Sequence, residues 1–246
     1  MRIAVVSTPR SGNTWFRMLL ARLYNLEERA IHTPDAIDWN DLPTNCSLQI
    51  HWHKTPEFQA LCSAHDFRVV TIARHPIDVL VSVLHFAPHE PQTAQWLRGE
   101  GGDERAIYLQ SPVSQEFLQY AISKRARALL SVAAEWWNAP GIAGIRYESL
   151  VSETSTSIDT LLKCLGPAVA NIDTVLQSLS LERLRQQSSN QHFWRGTPWL
   201  WRSLVPQHVA DRIQEANADI FRALGYSCNA DPNVTEESAR QAWLQL

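Results

Sequence analysis

The 246-residue sequence predicts an α/β fold, a single doubly wound domain in which helices flank a central parallel sheet of four to five strands. Short β-branched runs alternate with segments of helical spacing, the order that right-handed crossovers turn into a parallel sheet. The run Val69-Val70-Thr71-Ile72-Ala73 is continuous rather than alternating, as suits a strand buried on both faces. No internal repeat, low-complexity tract or Gly/Ser linker divides the chain, so residues 1–246 read as one domain with a core over about 2–226 and a tail over 227–246.

Residues 2–7 form the first strand, ending at Ser7-Thr8-Pro9, and residues 14–25 follow with helical spacing through Trp15, Met18, Leu19, Arg22 and Leu23. A second strand is expected over 47–52, a helix over 55–64 and a third strand over 68–73. Arg74-His75-Pro76 breaks that strand, and Pro76 suits the first position of a helix over 76–86. Residues 87–112, with three prolines and three glycines, read as an irregular excursion, which on a compact domain tends to be functional or disordered. A long helix over about 114–137 leads to a fourth strand near 142–147 and then to helices around 153–165, 171–188 and 206–224. The stretch 189–205, with four aromatic residues and two arginines, fits neither period.

Composition removes several classes. With 45% hydrophobic and 19% charged residues and a mean hydropathy of −0.23, the chain is neither disordered nor membrane-embedded, and no apolar run approaches a spanning length. Met1 leads directly into the strand-like RIAVVS, leaving no signal-peptide core, so a cytoplasmic protein without membrane association is expected. Cys46, Cys62, Cys164 and Cys228 lack a CxxC pair and read as free thiols. A net charge of −3 disfavours nucleic acid as a partner. Yet 19 of the 22 cationic side chains are Arg, whose planar fork suits phosphate and sulfate, although a GC-rich genome produces the same bias.

Thr8-Pro9-Arg10-Ser11-Gly12-Asn13-Thr14-Trp15 joins the first strand to the first helix, where an open α/β sheet places its ligand. Gly12 permits a tight turn and close backbone approach, and the amides opening the helix face an anion with the helix dipole behind them. The loop reads as a phosphate cradle. It is not a Walker A motif, because Asn13 rather than Lys follows Gly12 and the cation, Arg10, comes earlier.

Pro9-Arg10-Ser11-Gly12-Asn13-Thr14-Trp15 resembles P-[KR]-S-G-T-T-W, the loop of the sulfotransferases that use 3′-phosphoadenosine 5′-phosphosulfate (PAPS) and release PAP. The resemblance implies a P-loop NTPase-like fold, with Arg10 at the phosphosulfate and its bridging oxygen, Ser11, Gly12, Asn13 and Thr14 around it, and Trp15 packed on the adenine. Arg74-His75-Pro76-Ile77-Asp78-Val79-Leu80-Val81-Ser82 resembles R-N-P-x-D-V-x-V-S, implying that Arg74 and Ser82 hold the 3′-phosphate. A strand-end Arg is also a reasonable bidentate phosphate clamp on its own chemistry. Arg146-Tyr147-Glu148-Ser149-Leu150 resembles Y-E-D-L, which puts Tyr147 against the adenine. Phe193 to Arg202 resembles R-K-G-x-x-G-D-W-[KR], carrying over Arg195 and the Gly196 amide as 3′-phosphate contacts, with Trp194 in place of one cation and Trp199-Leu200 in place of Gly-Asp.

Sulfuryl transfer to a hydroxyl needs in-line geometry, a base and cations at the leaving phosphate. The sulfuryl group carries one negative charge, so no metal is expected. The resemblance aligns Ile50-His51-Trp52-His53-Lys54-Thr55-Pro56 with K-[TS]-H-x-P, making His53 the base and His51 the counterpart of the family Lys. The spacing of two puts His51 and His53 on the same face of a strand, so that either could reach the site, and His51, a carboxylate or no base are the alternatives. Lys54 or Arg10 then covers the lost Lys. The His51-x-His53 pair lacks a third metal ligand nearby.

Trp96, Trp194 and Trp199 fall in irregular segments and suggest an aromatic pocket for a small phenolic, alcoholic or carbohydrate acceptor, while Trp136, Trp137 and Trp201 read as core. Two other classes share these signals: a P-loop nucleotide kinase using ATP and Mg²⁺, and a catalytically silent nucleotide-binding module.

Overall fold

A computed structural model of the chain describes residues 1–187 and 193–246. Five parallel strands, β1 (Arg2–Val6), β2 (Glu27–Ala30), β3 (Cys46–Ile50), β4 (Phe67–Ala73) and β5 (Ala143–Arg146), line up in the order β2-β3-β1-β4-β5. Val6 is paired with Ile50 on one side of β1 and Val5 with Val70 on the other. The chain leaves the central strand for one half of the sheet and returns to build the other, so the switch point falls beyond the carboxyl end of β1.

Alternation along β1 divides the core in two. Ile3 and Val5 pack with Phe16, Leu19 and Leu20 of α1 (Asn13–Tyr24), whereas Ala4 and Val6 join the layer on the opposite face. That second layer holds α2 (Pro56–Ala64), α3 (Pro76–Phe86), α4 (Gln115–Ala121) and α5 (Lys124–Trp137). Two short helices, α6 (Tyr147–Ser152) and α7 (Thr154–Leu165), follow β5, then α8 (Ile172–Ser178) and α9 (Leu181–Gln187). The chain ends with α10 (Gln207–Ala216), α11 (Ala218–Leu224) and α12 (Glu236–Leu244).

Local chemistry accounts for the boundaries. Asn25, in the left-handed region, ends α1, and the Thr55 hydroxyl accepts from the Phe58 amide to open α2 behind Pro56. The expected helix over 114–137 is two helices because the Ser123 hydroxyl accepts from the Ala126 amide and starts a new one. The helix over 206–224 divides at Asn217, whose buried amide donates to the carbonyls of Ala121 and Ile213. The helix over 171–188 divides at Leu179-Ser180, and its final residue lies outside the described residues, as does 189–192 of the expected irregular stretch. From 193 the chain runs without regular structure to a 3₁₀ turn at Leu200–Ser203.

Two further differences matter. The second expected strand stops at Ile50, not residue 52, so His51 and His53 lie beyond it and the shared-face argument does not hold. Strand β2 has the sequence EERA with all four residues exposed, an edge strand that hydrophobic periodicity could not reveal. The excursion at 87–112 is a chain of 3₁₀ turns pinned by one buried cation. Arg125 donates to a Glu104 carboxylate oxygen at 2.7 Å and to the carbonyls of Thr93, Trp96 and Glu100. Trp96 is thereby buried against Phe86 rather than left lining an open pocket. Trp136 and Trp201 are core, and Trp137 packs at its margin.

His75, the residue before α3, accepts from the Ile77 amide and donates to the Ser227 carbonyl, with its ring stacked 4.7 Å from Trp201. Burial holds its pKa down at about 4. The folded state therefore stays neutral where the unfolded chain binds a proton, and stability falls as pH drops from the unfolded value of about 6.5 towards 4. Chemical denaturation should show roughly 3 kcal/mol lost from this group over that window, and His75→Asn should remove that part of the pH dependence.

Candidate active site

The loop after β1 is shaped by two residues in the left-handed region, Arg10 at φ 68° and Gly12 at φ 90°. At Gly12 a Cβ would lie 2.5 Å from Cδ2 of Tyr147, so the ring occupies the space a side chain would need. The Tyr147 hydroxyl donates to the Gly196 carbonyl at 2.7 Å, tying this loop to the segment beyond residue 193.

Two arginines converge here. The Arg10 guanidinium lies 3.9 Å from the Phe86 ring centroid, and its Nε donates to the Ser82 hydroxyl at 3.2 Å. Arg74, at the carboxyl end of β4, lies 4.8 Å from the Tyr147 centroid and donates to the carbonyls of Arg10 and Thr197. Burial, and then Arg74, press the Arg10 pKa down to about 9, so the group stays charged at neutral pH at an electrostatic cost that an incoming anion relieves. Asp78, one turn into α3, lies 4.0 Å from Arg74 but spends both oxygens on the amides of Trp199 and Trp201. Burial raises its pKa to about 6, against the pull of Arg74 and those amides.

These groups open onto a cavity of about 430 Å³. Arg10, Gly12, Asn13, Thr14, Trp15, Arg74, Ser82, Tyr147, Arg195 and Gly196 all line it, whereas Ser11 is fully buried and does not. Part of the lining is cationic, and much of the rest is apolar, with Trp15, Leu150, Leu179, Leu181, Leu184 and Phe193, the Trp15 indole being fixed by donating to the Leu179 carbonyl. The leucines around the α8–α9 break went unread in the sequence, where one continuous helix was expected. Ser180 before Leu181-Glu182 was the available sign of a new helix start.

The two histidines stand apart from this lining. His51 is buried, donates through Nδ1 to the Ser7 carbonyl at 2.8 Å and meets the Asn13 amide. His53 lies between carboxylates, Nδ1 at 2.9 Å from Glu135 and Nε2 at 3.0 Å from Glu100. The bond to Glu135 is the main cause of its raised pKa, opposed by burial and helped by Glu100. Burial pushes Glu135 up, but bonds from His53 and the Lys54 amide outweigh this and hold it below the usual range. Among the described residues no three His, Cys, Asp or Glu side chains are arranged to hold a metal ion.

The model of the sulfotransferase domain family matches residues 1–218. The chain belongs to that family. Sulfuryl transfer is the family's reaction class, and the parallel sheet flanked by helices matches its fold. Mouse sulfotransferase SULT7A1, solved with PAP, superposes with a TM-score of 0.67 at 15% identity, covering 92% of this chain and 89% of that one. Retinol dehydratase, solved with androsterone and PAP, gives 0.59 at 16% identity, covering 95% and 84%. At these identities the likeness is one of fold. No curated protein sequence matches the chain. No helix among the described residues is long and apolar enough to cross a membrane.

Gly12→Ala should cost roughly 2–5 kcal/mol in urea unfolding, combining backbone strain with the ring overlap. With Tyr147→Ala as well, the overlap disappears and the two costs fall short of adding.

Proposed function

We propose that the chain moves a sulfuryl group from PAPS to a hydroxyl or amine of a small acceptor. The observation that carries this reading is the convergence of Arg10, Arg74, Ser82 and the Arg195-Gly196 segment on one cavity whose remaining lining is largely apolar. Among the described residues Arg74 Nε, in the cavity lining, finds no hydrogen-bond partner, as fits a site built around an anion. PAPS supplies the activated sulfuryl group and leaves as PAP. Arg74, Ser82, Arg195 and the Gly196 amide hold the 3′-phosphate. Arg10, with Gly12, Asn13 and Thr14, holds the 5′ end and steadies charge on the departing phosphate, and Trp15 and Tyr147 enclose the adenine. The sulfuryl group's single negative charge lets guanidinium groups suffice without a metal.

His53 is the base. Glu135 fixes its Nδ1–H and orients the ring, and Glu100, largely exposed, is the partner that the acceptor hydroxyl replaces on Nε2. The acceptor is phenolic, alcoholic or carbohydrate, and the alcoholic class is supported by retinol dehydratase, whose bound androsterone and retinol are small alcohols. Four unpaired cysteines support a reducing compartment such as the cytoplasm.

PAP should raise the melting temperature without metal, and Arg74→Ala should weaken PAP binding by roughly 10- to 100-fold in calorimetry. Stabilisation by Mg-ATP alone would instead mark a nucleotide kinase, and PAP binding without turnover of a generic phenol would mark a silent module. His53→Ala should lower kcat by roughly 10²–10⁴ while PAP affinity holds. Because the base works unprotonated and its pKa is raised, kcat should climb with pH through a midpoint above about 6.5. Glu135→Gln should move that midpoint down.

A further inference from the structure

His85 lies one helical turn beyond Ser82 on α3, so both side chains project from the same side of the helix. Its ring is stacked on Trp194 at 4.1 Å and 20°, and Trp194 lines the cavity where the family pattern carries a cation. The His85 Nε2 is buried and has no hydrogen-bond partner among the described residues. Trp243 of α12 closes over the pair, 5.9 Å from Trp194 and 6.4 Å from His85, edge-on to both. A buried imidazole nitrogen left without a partner among ring faces is costly unless something else uses it.

The charges around that ring share one sign. His89 stands at 5.6 Å on the turn after α3, and Arg10 from the β1 loop and Arg195 from the segment beyond 193 both act on it. Arg195 in turn donates to the main-chain oxygens of Gln245 and Leu246. Burial and those cations hold the His85 pKa at about 4, so the ring is neutral at physiological pH. A 3′-phosphate held by Arg74, Ser82 and Arg195 reverses the local field and makes the imidazolium favourable.

We propose that His85 is a further nucleotide-binding residue, which takes a proton from solvent as the doubly phosphorylated nucleotide binds and so supplies the positive charge that Trp194 lacks. The proposal rests on the PAPS reading above. It assigns to Trp194 the role of holding the ring in place, and to His85 a preference for nucleotides bearing the 3′-phosphate over those ending in a hydroxyl there.

Calorimetric titration with PAP at pH 6.5, in buffers of different ionisation enthalpy, tests it. The wild type should take up roughly half a proton or more beyond His85→Gln, and its Kd should tighten by roughly tenfold more than the variant's between pH 8 and pH 6. With 5′-AMP, which lacks the 3′-phosphate, the two proteins should not differ. Trp194→Arg is the second probe, because a permanent guanidinium makes protonation of His85 superfluous and should abolish the extra uptake even if His85→Gln does not fold. Equal proton uptake by wild type and His85→Gln, or undiminished uptake in Trp194→Arg, overturns the proposal while leaving the enzymatic reading intact. A wild-type chain that does not bind PAP at all overturns that reading first.

Discussion

Arg10 and Arg74 reach the same patch of the sheet's carboxyl edge from the ends of neighbouring strands, each steadied by a ring face, Phe86 for one and Tyr147 for the other. A ring holds a guanidinium in place by roughly 0.5–2 kcal/mol without neutralising it as a carboxylate would. The one nearby carboxylate described at Arg74, Asp78, is committed to backbone amides. Positive charge is therefore stored at the switch point, and the rest of the cavity is arranged around it.

Asp78 gives that arrangement its second dimension. By binding the amides of Trp199 and Trp201 it docks the segment carrying Trp194, Arg195 and Gly196 onto the first turn of α3, opposite the β1 loop. Arg125 does the equivalent for the 87–112 excursion, collecting three carbonyls that no regular ladder would satisfy. Both cases use a buried charge as an organiser of irregular backbone. Removing either would strand several amide or carbonyl groups away from water at once, a larger penalty than the ion pair alone would suggest.

The central strands and their buried faces were legible because β-branched runs and Pro76 are local signals that tertiary packing only reinforces. The cradle residues were legible through spacing, since Arg10, Gly12, Arg74 and Ser82 keep their chemistry in sequence. Part of what escaped notice was local, since Ser123 and Ser180 stand at new helix starts within segments that periodicity joined, and β2 has no apolar face to betray it. The rest depended on contacts distant along the chain, as at Asn217, whose amide reaches the Ala121 carbonyl. His53 could be picked by alignment, but its bracketing by Glu100 and Glu135 joins residues 47 and 82 positions away, which spacing does not encode.

Tyr147 touches the turn at Gly12 with its ring, backs Arg74, and grips Gly196 through its hydroxyl. A single phenol thus cross-links three stretches of polypeptide drawn from the beginning, middle and latter part of the chain. Local opening of any one of them must disturb the other two. Amide exchange in the loop, the α6 start and the Gly196 strap would then proceed as one cooperative unit, slowed together when ligand enters and released together when it departs.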